Sequence, residues 1–191
     1  MSDDDFVLAH TRAWVERVVI GLNLCPFAKG PQAKGLVRYA LFAGSQPMAL
    51  LEALEQELRL LAAAPADRLE TTLLVHPGAL QDFADYNDFL DPVDALLGRL
   101  GLEGRIQVAS FHPQYRFAGT HADDVANATN RSPYPLLHLI REQSIDRAVA
   151  AMPQAESIYE ANIATMRRLG TAGWTELQER CRAQALAACR R

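Results

Sequence analysis

Two short hydrophobic runs, Thr71-Thr72-Leu73-Leu74-Val75 and Ile106-Gln107-Val108-Ala109-Ser110-Phe111, stop on the same dipeptide, His76-Pro77 and His112-Pro113. Proline removes a backbone donor and keeps the residue before it extended, so each pair marks the end of a strand. The first run is apolar on both faces, which suits a central strand in a sheet covered by helices. If the two strands run the same way, both imidazoles fall on one edge, where open α/β sheets place their ligands. From Gln114 to Arg131 the chain then shows no apolar period. A polar stretch of that length inside a compact domain is usually functional or disordered.

The pattern around these runs alternates between helix and strand. Val7, Thr11, Trp14, Val15, Val18 and Leu22 recur at helical spacing behind an acidic start, predicting a helix over about 4–20. Leu36 to Phe42 reads as a short strand, and Ser45 with Pro47 opens a helix whose buried stripe is Leu50, Leu51, Leu54, Leu58 and Leu61. A helical stretch broken at Asp91-Pro92 runs on to Gly101. This order predicts an α/β fold with a small three- to four-stranded sheet and helical crossovers. The C-terminal third, from about residue 133, reads as all helical. Ser132-Pro133 would cap a helix through Glu142, a second helix would run from about Ala155 to Leu169, and Thr175 with Gln178 would cap a third. With no repeat, linker or low-complexity tract, residues 1–191 read as a single α/β domain.

Composition narrows the function classes. With 49% hydrophobic and 22% charged residues, global disorder is excluded, and a net charge of −4 gives no general attraction to nucleic acid or to an anionic membrane. The opening Ser2-Asp3-Asp4-Asp5 is the reverse of a basic signal peptide, and no apolar run approaches membrane-spanning length, so the expected location is cytoplasmic. Cys25, Cys181 and Cys189 lack close metal spacing and are read as reduced thiols. Composition leaves the oligomeric state open.

His76 and His112 are the first candidates for chemistry, because neutral imidazole can move protons or ligate a metal near physiological pH. The alternative is that both close a strand and bond to loops. His121-x-Asp123-Asp124 carries donors suited to a divalent metal, or else an Asx-type turn. His138 and Glu142, four apart on the expected helix, would share a face and could share a proton or a metal. Asn130-Arg131-Ser132 leads into that helix's amino terminus, where free amides favour an anion and Arg131 could add a two-pronged contact. Cys25 follows a helix carboxyl end, the wrong polarity for an activated thiol, and is read as packing.

Four segments carry a resemblance: Asn23-Leu24-Cys25-Pro26-Phe27-Ala28, Tyr86-Asn87-Asp88-Phe89-Leu90, Ile106 to Pro113, and Asn130-Arg131-Ser132-Pro133-Tyr134-Pro135. From about Trp14 to Arg147 the chain resembles a bacterial family known as domain of unknown function 1415. The resemblance implies a bacterial cytoplasmic protein of this size and carries over no activity, cofactor or catalytic residue.

Taken together, the residues point to a small-molecule enzyme of hydrolase or transferase type acting at the carboxyl edge of the sheet. His76, His112 and Tyr115 would supply acid–base chemistry, while Arg116, Asn130, Arg131 and Ser132 hold an anionic substrate. A metal-dependent version would recruit a divalent ion through His121, Asp123, His138 or Glu142. The rivals are a non-catalytic binding or accessory module recognising a protein or a small anion, and a thiol enzyme built on Cys25.

Overall fold

The structure is a computed structural model that describes residues 2–150 and 157–190. Helix α1 (Asp3–Trp14) opens on a complete capping box, in which Ser2 Oγ accepts the Asp5 N–H and the Asp5 carboxylate accepts the Ser2 N–H. It runs on as a π-helical turn, Val15–Ile20, closed by bonds five residues apart from Gly21 N–H to Glu16 and from Leu24 N–H to Val19. A Cβ at Gly21 would collide with the Arg17 carbonyl, so the tight exit from this turn requires glycine. A short helix α2 (Lys29–Ala33) leads to strand β1 (Val37–Leu41).

Helix α3 (Pro47–Ala63) takes its proline in the first turn, and Leu50, Leu54, Leu58 and Leu61 along its inner stripe expose no surface. Gln46, not Ser45, is the residue before it. After β2 (Thr71–Val75) come α4 (Phe83–Asp88) and α5 (Leu90–Leu100). The break falls at Phe89, just ahead of the expected Asp91-Pro92, because Pro92 sits in the first turn of α5 where no partner for its nitrogen is needed. Gly101 ends α5 in the left-handed region at φ 64°. Strand β3 (Ile106–Phe111) follows.

The stretch from Ser132 to Glu142 is not a helix. Leu136–Arg141 forms strand β4, and the four strands lie in the order β1-β2-β4-β3. β1 and β2 are parallel, and β4 is antiparallel to both β2 and β3, so β1, β2 and β3 point the same way. Ser132 caps nothing; its hydroxyl donates to the Tyr134 carbonyl, and Pro135 then delivers the chain into the strand. Leu136-Leu137-His138-Leu139-Ile140 is apolar on both faces, which fits an interior strand as well as it fits a buried helix. Beyond β4 the described chain is helical: α6 (Glu142–Ala150) and α7 (Ile158–Ala188). The expected start at Ala155 lies outside the described residues. Gly170 (φ 68°, ψ 174°) interrupts α7 where the sequence placed a boundary, but Thr175 lies within the continuing helix, its hydroxyl donating to the Thr171 carbonyl.

Alternation along the strands divides the core. Leu74, Leu137, Leu139 and Ile106 pack with α3, α4 and α5. Tyr39, Leu73, Val75 and Leu136 face the opposite way and pack with α1, the π-helical turn and α7, including Trp14, Met166, Trp174 and Cys181. No helix among the described residues is long and apolar enough to cross a membrane.

Arg141, the last residue of β4, ties these elements together. Its guanidinium donates to the carbonyls of Leu61 and Ala64 at 2.6 Å and of Leu69 at 3.1 Å, which satisfies carbonyls at the end of α3 and in the loop that follows. Arg141→Ala should lower stability by about 2 kcal/mol, and Arg141→Lys should recover little, because the compact ammonium lacks the reach and planar fork with which the guanidinium spans these carbonyls. Denaturant unfolding of the two variants measures both effects.

Candidate functional site

His76 and His112 stand at the carboxyl ends of β2 and β3 with the start of β4 between them, since Leu136 pairs with both Val75 and Phe111. Tyr86 lies against both rings, with centroids 5.9 Å from His76 and 5.1 Å from His112. Its hydroxyl donates to the Leu136 carbonyl and accepts the Phe111 N–H, so this tyrosine plugs the edge of the sheet. Neither imidazole exposes any surface. His112 Nδ1 accepts the Gln114 N–H, so its proton is on Nε2, which donates to the Leu80 carbonyl. His76 Nδ1 donates to the Ala79 carbonyl, leaving Nε2 buried without a partner among the described residues. Desolvation pulls the pKa of both down, His76 from 6.5 to about 4. Tyr115 packs its ring between Phe83 and Phe117 at 5.2 and 5.1 Å.

The polar stretch after His112 is ordered by its own side chains. Fully buried Asn127 accepts from the Phe117 N–H and the Thr120 hydroxyl and donates to the His121 carbonyl. Arg131 donates to the Tyr115 and Ala122 carbonyls, Asn130 to the Ser110 carbonyl, and Asp124 caps the 3-10 turn Val125–Asn130. The expected anion site is corrected in one respect: no helix amino terminus follows Ser132, because Leu136–Arg141 is strand β4. Arg131 gives two of its five N–H donors to backbone carbonyls. Arg116, His121 and Asp123 are exposed on the loop surface. Among the described residues no three His, Cys, Asp or Glu side chains gather into a metal site. The His138/Glu142 pair is also corrected, because His138 lies in β4 and Glu142 opens α6.

A cavity of about 620 Å³ lies on the sheet face opposite α3 and α5. Its floor comes from three strands: Thr71 and Leu73 of β2, Gln107, Ala109 and Phe111 of β3, and His138 and Ile140 of β4. Trp14, Val15 and Val19 from α1 and the π-helical turn form a second wall, the Cys25–Val37 segment a third, and Ser144, Ile145 and Arg147 of α6 a fourth. π-Turns recur at functional sites, where they break the regular helix surface. The lining is almost wholly apolar, and its enclosed polar group is the imidazole of His138, held by Thr71 Oγ1 at 2.8 Å from Nε2. Burial lowers the His138 pKa from 6.5 to about 4 and raises that of the Cys25 thiol, so both are neutral at physiological pH.

Sequence reasoning missed Thr71 and the role of β2, β3 and β4 as a floor. The usable signal was alternation: in Leu-Leu-His-Leu-Ile the histidine falls on the face opposite the two leucines that meet α3 and α5.

This mixed sheet, helix-covered on one face and hollow on part of the other, defines an α/β protein with a cavity that opens to solvent. The chain belongs to the family described as protein of unknown function (DUF1415), whose model matches residues 6–176. Comparison with the curated proteins and with the solved structures finds no match.

Two outcomes follow from the buried polar groups. His76 and His138 titrate near 4 when folded and near 6.5 when unfolded, so the unfolded chain binds more protons between those values and stability rises with pH. Full stability should hold above about pH 6.5 and decline towards pH 4, by about 2 kcal/mol per ring at pH 5. Denaturant midpoints measured across that range test this; a flat profile would mean that the rings are hydrated. Asn127→Asp keeps the side-chain shape but loses the donor to His121, and should cost about 2 kcal/mol. Limited proteolysis should then cut between Gln114 and Asp124.

Proposed function

We propose that this protein binds a small, predominantly apolar molecule in the cavity on the open face of its sheet, with His138 and Thr71 as the polar anchor. The observation that carries this reading is the cavity itself. It combines a volume suited to a small ligand, a floor contributed by three adjacent strands, a π-helical wall and one enclosed imidazole.

The carboxyl edge of the sheet supports a ligand site less well. Its histidines lie beneath Tyr86, and all but one of their ring nitrogens are committed to backbone groups. An anionic substrate there would also have to share Arg131 with the two carbonyls that it already bonds. A catalytic role fits His138 poorly as well, since a base that titrates near 4 is mismatched to proton abstraction at neutral pH. Recognition suits it better: a neutral ring fixed by a neighbouring hydroxyl is a rigid hydrogen-bonding partner.

Ala109 lies on the cavity floor, so Ala109→Phe should fill the space from within. The fluorescent probe N-phenyl-1-naphthylamine should bind the native protein, and Ala109→Phe should weaken it by about tenfold or more, a loss near 1.4 kcal/mol, with little change in melting temperature. Equal binding to both proteins, or none to the native chain, overturns the proposal.

A further inference from the structure

We infer that the cavity selects a neutral ligand that carries a hydrogen-bond donor on an apolar body, the chemistry of a phenol or an aryl amine. This rests on the reading of the cavity as a ligand site and adds the polarity of the group that the site recognises.

Proton accounting at the cavity floor carries the argument. The Thr71 hydroxyl lies 2.6 Å from the Leu139 carbonyl and 2.8 Å from His138 Nε2. A carbonyl can only accept and a hydroxyl has one proton, so that proton goes to Leu139. The Thr71 oxygen must then accept from the imidazole, which fixes the His138 proton on Nε2 and leaves Nδ1 as a bare acceptor. Nδ1 makes no hydrogen bond among the described residues, and His138, unlike His76, is only partly buried and lines the cavity.

A ligand that meets Nδ1 therefore has to bring a proton of its own. A ligand acceptor placed there would set two lone pairs against each other in an apolar surround, and a carboxylate would lose its water as well. The cations near the opening do not change this. Lys34 is exposed, and Arg147 is held by Glu70 at 3.6 Å and by the Ser144 hydroxyl, so a carboxylate is better served at the solvent edge than against His138. The other polar side chain on the strand floor, Gln107, is also exposed and can either donate or accept, so it does not discriminate.

The test uses three probes of one shape, 4-propylphenol, 4-propylanisole and 4-propylbenzoate, titrated calorimetrically into the full chain at about pH 7.5. The phenol should bind about tenfold more tightly than either of the others, although the anisole is the more apolar molecule. Anisole or benzoate binding as tightly as the phenol overturns the donor inference and leaves the ligand site standing. Failure of all three to bind overturns both. His138→Leu should abolish the preference for the phenol. Thr71→Val provides the second check should His138→Leu fail to fold: without the hydroxyl, the imidazole can carry its proton on either nitrogen, and the preference should shrink severalfold. A preference that survives Thr71→Val intact overturns the tautomer assignment and the inference with it.

Discussion

The structure depends on the antiparallel insertion of β4 between β2 and β3. Without it these two strands, which run in the same direction, would each present a row of unpaired amides and carbonyls. With it, one six-residue segment performs four tasks. Leu137 and Leu139 close the core under α3 and α5, His138 reaches Thr71 of β2, Arg141 bonds carbonyls at the end of α3 and in the loop after it, and the Leu136 carbonyl receives Tyr86. The position of Tyr86 is a direct consequence. By bonding at once to the first residue of β4 and the last residue of β3, it fills the notch that an open parallel sheet would leave to a ligand.

His76, His112 and His138, two buried and one partly buried, share a neutral state for one physical reason and differ in what that state permits. In each, desolvation outweighs whatever favours the charged ring; at His112 the Asp82 carboxylate offsets only part of it, and at His76 and His138 no carboxylate contributes. His112 spends both nitrogens on the backbone turn that it helps to build. His76 spends one and buries the other against Tyr86. His138 spends one on a threonine that has itself been fixed by a carbonyl, and keeps the other within reach of a cavity. Residue type is the same in all three; what separates them is the hydrogen-bonding capacity left after folding.

Much of the framework was legible in the sequence. The leucine stripe of α3, the strands ending at His76 and His112, the Gly101 stop and the interruption at Gly170 all follow from local periodicity and backbone preference, whereas the common direction of those two strands entered only as a condition. The segment from Leu136 to Ile140 did not, because a short run apolar on both faces satisfies helix and interior strand equally, and Ser132-Pro133 imitated a helix start. That single ambiguity displaced the candidate site. It turned His138 and Glu142 into a helical pair, created an anion-binding helix terminus at Arg131, and hid the face of the sheet that floors the cavity. Thr71 carried no local signal at all, since its role exists only across the β2 and β4 pairing.

The loop from Gln114 to Arg131 shows why polar density is an unreliable guide to function. Its polar residues look like a site because a site needs such groups, yet a long irregular segment needs them equally, to replace the backbone bonds that helix and sheet would have supplied. Asn127 and Arg131 take two such bonds each, so these two side chains hold the loop's shape. The cavity inverts that balance. Strands and helices around it satisfy their own backbones, which frees His138 Nδ1 from any structural duty. On the proposed reading, recognition in this fold uses the place where regular structure has made side-chain bonding unnecessary, the floor of the sheet.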